Sequence, residues 1–172
     1  MIILGLGTNM GKREQNLQQA LKLMTSDGDV EICQMSSIYE TVPFGVTDQP
    51  DFLNMTVSVQ THLTPQELLH KCLAVEKAMG RIRTRHWGPR IIDIDLLVFE
   101  EVQLVSEELT LPHPGILQRA FVLIPLRDIA PTLSLANGRT TTEMALELEN
   151  LAGPEVHRRK KVAWSSLTKC FV

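Results

Sequence analysis

Residues 51–61 read DFLNMTVSVQT, and this run decides the fold. Side chains alternate across a strand, so Leu53, Met55, Val57 and Val59 share one apolar face, while Phe52, Asn54, Thr56, Ser58 and Gln60 share the other. One apolar and one mostly polar face predict an antiparallel sheet with a core on one side and the other side open. Upstream, residues 2–6 and 30–37 read as strands. Between them, Leu17, Ala20, Leu21 and Met24 recur at helical spacing and predict a helix over about 11–25. Downstream, Thr64-Pro65-Gln66-Glu67 is a capping box with Pro at the first helical position. Leu68, Cys72, Val75 and Met79 form the buried stripe of that helix, and Gly80 ends it. Residues 91–99, IIDIDLLVF, supply a further strand.

The order β-α-β-β-α-β predicts an α+β class and a ferredoxin-like split βαβ, an antiparallel sheet with its helices on one face. A hairpin turned by Glu100-Glu101 onto 102–105, an apolar stretch at 120–126 and a helix from Thr140 to about residue 151 make a C-terminal hairpin and helix addition. No repeat or linker divides the 172 residues, so one domain is expected.

The composition is globular, 44% hydrophobic and 22% charged, with a net charge of −3. An acidic balance argues against a general nucleic-acid binder. Cys33, Cys72 and Cys170 are odd in number and form no CxxC pair, which argues against a disulfide framework or a thiolate metal site. The N-terminus has no basic region before its short apolar run, and no segment reaches the roughly 18 apolar residues of a membrane span. A reduced, cytoplasmic protein without membrane contact is expected.

In residues 91–99 the alternation places Ile92, Ile94, Leu96 and Val98 on one face, toward the helices, and Asp93 and Asp95 on the other. Two carboxylates so close repel by about 2–3 kcal/mol at an effective dielectric near 20. They could be solvated or paired to arginines. Alternatively a cation relieves them, and Mg²⁺ uses one or two carboxylates with phosphate oxygens and water. Arg81, Arg83, Arg85, His86 and Arg90 precede the pair. Guanidinium forks bind phosphate bidentately, so acid pair and basic loop together suit phosphoryl transfer. Residues 5–12, GLGTNMGK, fail the phosphate-loop pattern, since Leu6 and Arg13 stand where Gly and Ser or Thr are needed. That stretch reads as a strand-to-helix turn with close backbone packing. Trp87-Gly88-Pro89 suits either an ordinary turn or a closing lid. His113, between two prolines, with Arg119 and Phe121 beyond it, suits a surface turn or a second phosphate-and-aromatic cluster.

These residues resemble the 6-hydroxymethyl-7,8-dihydropterin pyrophosphokinase family of folate biosynthesis. The segments that carry the resemblance are HWGPRIIDIDLL (86–97), GLGTNMG (5–11), SSIYETVPFG (36–45) with TDQPDFLNM (47–55), GRIR (80–83) and LPHPGILQRAFVLIPLRDIAP (111–131), all in order. The resemblance implies a pyrophosphokinase domain over 1–152, a C-terminal extension over 153–172, and transfer of pyrophosphate from ATP to the pterin hydroxymethyl group with release of AMP. It implies two Mg²⁺ ions on Asp93 and Asp95, with Arg81 and Arg90 on the transferring phosphates. On the nucleotide side it implies Glu76, Arg83, His86, Trp87, Arg90, Leu96, Thr110, His113 and Arg119. Around the pterin it implies stacking between Phe52 and Phe121, with Gly7, Thr8, Thr41, Val42, Phe44, Asn54 and Asp93 nearby. His86 and Val42 depart from the arginine and proline common in relatives. A monomer is expected, and the basic run 157–161 (HRRKK) is expected to be a solvated tail.

One reading from another class competes. An open-faced split βαβ sheet with exposed aromatics can bind single-stranded RNA without catalysis. The acidic balance and the carboxylates on the would-be binding face oppose it.

Overall fold

The structure is a computed structural model and describes residues 1–43, 48–81, 88–152 and 156–172. Its centre is strand β4 (Phe52–Thr61), whose residues 53, 55, 57 and 59 are buried as the alternation predicts. On one side β4 pairs antiparallel with β1 (Ile2–Thr8), which pairs in turn with β5 (Asp93–Phe99). On the other side β4 pairs with β2 (Val30–Met35) along one half and β3 (Ile38–Thr41) along the other. Ser36 carries the strand across the break. Its N–H donates to Thr56 O (2.9 Å) and its hydroxyl accepts from Thr56 N (3.0 Å).

Helices α1 (Arg13–Met24) and α2 (Pro65–Ala78) fill one face of the sheet. They bury Leu17, Ala20, Leu21 and Met24 from the first and Leu68, Cys72 and Val75 from the second against Leu4, Leu6, Met55 and Ile94. The Thr64 capping box is formed in both directions, and such a cap is worth about 1 kcal/mol.

The sheet is not open on its other face. The apolar stretch at 120–126 is part of α3 (Ala120–Ile129), which packs on Ile3, Tyr39, Leu97 and Val98 and is covered by α4 (Thr141–Ala152). Thr56 and Ser58, expected in the open, are 1% and 4% exposed. The expectation of helices on one face is therefore corrected to helices on both. A short run apolar on every side cannot be assigned to helix or strand by periodicity, and its burial on two sides explains that composition.

Three further expectations change. Val98 packs with α3, because a bulge sets Ile3 opposite Val98 and Leu4 opposite Leu96; Leu97 is the extra residue and the alternation shifts after it. The hairpin after β5 forms between β6 (Leu104–Val105) and β7 (Thr110–Leu111), so 102–105 does not fold back on β5. Lastly, the basic segment expected as a solvated tail supplies β8 (Val156–Lys160), which pairs antiparallel with β3 and extends the sheet. Two short strands, β9 (Trp164–Ser165) and β10 (Cys170–Phe171), follow as a hairpin. Arg158 of β8 lies 5.7 Å over the Tyr39 ring, and its Nη2 donates to the Tyr39 hydroxyl at 3.1 Å. That hydroxyl lies 3.0 Å from both carboxylate oxygens of Asp128 on α3, and Asp128 also accepts from Ser37 N at 3.0 Å. Strand β3, helix α3 and strand β8 are joined at this one point.

Candidate active site

The site lies on the second face of the sheet, where α3 begins and no longer covers it. Its floor is built from glycine. In the three-strand register Asn54, Gly7 and Asp93 form one row, and Thr56, Gly5 and Asp95 form the next. A Cβ on Gly7 would stand 2.8 Å from Asn54 Oδ1, and one on Gly5 would stand 3.1 Å from Leu97 Cδ1. The missing side chains on β1 leave a trough between an amide and a hydroxyl on β4 and two carboxylates on β5. Thr41, Val42, Phe52, Asn54, Thr56 and Phe121 are among the residues that line it. Asn54 Nδ2 donates to Thr41 Oγ1 at 2.7 Å, which fixes the amide with its oxygen over Gly7.

The two carboxylates differ. Asp93 is neutralised on both oxygens: Arg81 Nη1 reaches Oδ1 at 2.5 Å and Arg90 Nη1 holds Oδ2. Arg81 Nη1 also meets Glu76 Oε1 at 2.5 Å, and Glu76 accepts from Ile94 N at 2.7 Å. Glu76 is 3% exposed, and burial raises its pKa against the pull of that N–H bond and of Arg81. The Arg81 guanidinium is held charged: Asp93 and Glu76 raise its pKa despite the opposing effect of burial. Asp95 has a weaker partner, Arg119 Nη1 at 3.9 Å. Burial, and then the charge of Asp93, push its carboxyl up to about 7. Its side chain keeps 37% of its surface open and lines both the trough and the neighbouring cleft, so solvent screens part of its charge.

The arginines that serve the carboxylates also cover the aromatic walls. Arg90 lies 5.7 Å over the Phe52 ring and Arg119 5.8 Å over the Phe121 ring. Arg90 is held by Asn9, which is buried and whose Oδ1 accepts from Arg90 N at 2.8 Å. The Asn9 amide nitrogen donates to Gln49 Oε1 and Pro50 O, both at 3.0 Å. One side chain thus ties three loops together at the mouth of the trough.

A second cleft of about 510 Å³ opens on the other side of Asp93 and Asp95. Glu76, Arg81, Leu96, Thr110 and His113 line it, with Leu69, Leu73 and the turn 106–109. His113 Nδ1 accepts from Gly115 N at 3.0 Å, and burial, with the charge of Arg119, lowers the imidazole pKa, so the ring is neutral at pH 7. The two carboxylates stand between the trough and the cleft and line both.

Of the residues singled out in the sequence, Arg81, Arg90, Asp93, Asp95, Arg119, Gly7, Thr41, Val42, Phe52, Asn54 and Phe121 converge here, and Glu76, Leu96, Thr110 and His113 line the cleft. Thr8 does not line the trough. It is fully buried, and its hydroxyl donates to Ile91 O at 2.6 Å, which latches β1 to the entry of β5. Phe44, Arg83, His86 and Trp87 lie outside the described residues. Asn9, Gly5 and Thr56 are site residues that sequence reasoning missed. Asn9 acts on residues 40 and more positions away, a relation no local pattern carries. Among the described residues no cluster of three or more His, Cys, Asp and Glu could hold a metal ion. The donor set of two carboxylates, one with its charge poorly compensated, still fits Mg²⁺, which takes its remaining ligands from phosphate and water.

Known proteins place the chain in a family. A Methylorubrum extorquens 2-amino-4-hydroxy-6-hydroxymethyldihydropteridine pyrophosphokinase is 44% identical over 146 residues, which cover 85% of this chain and 92% of that protein. The Bacillus subtilis protein of the same description is 44% identical over 126 residues, covering 73% and 75%. Among solved structures, Plasmodium falciparum HPPK-DHPS with pteroate superposes with a TM-score of 0.71 at 16% identity, a likeness of fold, over 99% of this chain. This chain spans about half the length of that one, 47%. The family model that describes 7,8-dihydro-6-hydroxymethylpterin-pyrophosphokinase matches residues 3–131, and the chain belongs to that family.

Proposed function

We propose that the chain transfers pyrophosphate from ATP to the hydroxymethyl group of 6-hydroxymethyl-7,8-dihydropterin, giving AMP and the pterin pyrophosphate. The observation that carries this is the pair of glycine-floored rows: they put a slot for a flat, polar-edged ring beside two carboxylates, with a separate cleft on the carboxylates' far side. The pterin stacks between Phe52 and Phe121, and Asn54, oriented by Thr41, reads its polar edge. ATP occupies the cleft of Glu76, Leu96, Thr110 and His113. Asp93 and Asp95 would hold the two Mg²⁺ ions expected, whose charge would offset that of the polyphosphate.

The chain's own residues do the rest. Arg81, Arg90 and Arg119 exchange their carboxylate and aromatic partners for phosphate oxygens, which places positive charge around the transferring group. Arg83, His86 and Trp87 are assigned to the nucleotide side, and Phe44 to the pterin side, on family likeness; Thr8 instead supports the floor by latching β1 to the entry of β5. His113, whose pKa burial lowers, is biased toward offering a hydrogen bond rather than a charge. Holding the two substrates on opposite sides of the carboxylates supplies the proximity that such a reaction needs. The family domain is assigned to 1–152. Its core order β5-β1-β4 with β2 and β3 supports a ferredoxin-like split βαβ, and residues 153–172 are assigned to an extension, of which Val156–Lys160 lengthens the sheet. No described helix is long and apolar enough to cross a membrane. A cytoplasmic monomer is proposed, in keeping with the three unpaired cysteines.

The RNA-binding alternative is dropped, because α3 and α4 cover much of the sheet face it required and leave a trough in place of an open platform. The test is a product assay with the protein, ATP, Mg²⁺ and hydroxymethyl-dihydropterin. AMP in step with pterin pyrophosphate is expected; ADP or free phosphate as the main product overturns the proposal.

A further inference from the structure

Thr56 stands in the deeper row of the trough floor, two residues along β4 from Asn54 and on the same face. Its strand position is fixed, since Ser36 pairs with both its N–H and its carbonyl. The residue is 1% exposed and lines the trough, with Gly5 and then Asp95 opposite it across the strands. Its hydroxyl is the one buried side-chain oxygen or nitrogen among the described residues without a hydrogen-bond partner. Nearby buried polar side chains have partners: Thr8 bonds Ile91 O, Ser36 bonds Ser37 O, and Asn54 bonds Thr41.

A buried hydroxyl left unpaired is unfavourable, and valine fills the same volume without it. A threonine at the floor of a ligand trough is therefore explained by a ligand that completes its bonding. Same-face residues on a strand lie roughly 7 Å apart, so Asn54 and Thr56 present two polar groups along the length of one small flat ring system. We propose that the Thr56 hydroxyl is a specificity-determining contact for the pterin, hydrogen-bonded to a polar atom of the heterocycle deeper than the one Asn54 reads. This rests on the pyrophosphokinase reading, and it adds a second point of recognition to the same slot.

The experiment uses the full chain and its Thr56→Val, Thr56→Ala and Thr56→Ser variants. Calorimetric titration with 6-hydroxymethylpterin is read beside the KM for each substrate and the melting temperature. Loss of one satisfied hydrogen bond corresponds to about five- to tenfold weaker binding. Thr56→Val and Thr56→Ala are expected to weaken pterin binding by that factor, with the KM for ATP unchanged. Thr56→Val is expected to melt no lower than the parent, and Thr56→Ser to bind within about twofold of the parent. Parent-like pterin affinity in Thr56→Val overturns the proposal. So does an equal loss in Thr56→Ser, which would show that volume and not the hydroxyl matters. Failure of the parent to form AMP would instead strike the enzymatic reading, and the titration would still report on Thr56.

Discussion

Replacing Asp95 by Asn is expected to stabilise the metal-free protein, and only above acid pH. Burial, and then the charge of Asp93, raise the Asp95 carboxyl from 3.8 to about 7 in the folded chain. As pH rises the unfolded chain ionises first, so the parent loses stability from about pH 4 to about pH 7 and levels off beyond. A displacement of about 3 pH units, at about 1.4 kcal/mol each, sets an upper limit of about 4 kcal/mol. Because 37% of the side chain is open, solvent screening brings this down to about 1–2 kcal/mol. For a domain of this size that is about 2–8 °C in Tm. The measurement is a pair of thermal melts in chelator, parent against Asp95→Asn, at intervals from pH 4 to pH 8.5. The two curves should coincide near pH 4 and separate as pH rises, with the variant higher. Adding Mg²⁺ with a non-hydrolysable ATP analogue should then favour the parent, since only the parent keeps both carboxylates. A variant that melts below the parent at pH 8.5 in chelator, or a gap independent of pH, would refute the claim that Asp95 is a partly buried, under-compensated charge.

Gly7→Ala brings a methyl group to 2.8 Å from Asn54 Oδ1, and the buried amide can yield only by leaving Thr41. A loss of about 1–3 kcal/mol in stability is expected from denaturant melts, with a rise in the KM for the pterin and none in that for ATP. Equal rises in both would count against a pocket confined to the pterin side. Tyr39→Phe removes the hydroxyl shared by Asp128 and Arg158, which should cost about 1–2 kcal/mol and lower Tm by about 2–8 °C. Deleting residues 153–172 from Tyr39→Phe should then cost less than deleting them from the parent, because the Arg158 contact is already weakened; additive losses would show that β8 is held without it.

Much of this architecture is written locally. The alternation in 51–61 places Asn54, Thr56 and Phe52 on one side of β4, the capping box of Thr64 starts α2 where it stands, and the two aspartates of β5 face one way because side chains repeat every second residue. Such signals need only neighbours within a turn or a few residues, so one sequence suffices to read them. What lay beyond reach is register and covering. Whether Gly5 faces Thr56 and Asp95 depends on how three strands slide past one another, set by packing between segments some 40 to 90 residues apart. The Leu97 bulge, which sends Val98 to the second core, exists only as a mismatch between β1 and β5. The 120–126 part of α3 is apolar all round because the sheet and α4 bury both its sides, and that covering carries no periodic signal. The sequence by itself determined which side chains share a face wherever a strand runs without a bulge. The tertiary structure decided which faces meet, and so made two glycines the floor of a trough and left one threonine hydroxyl waiting at its bottom.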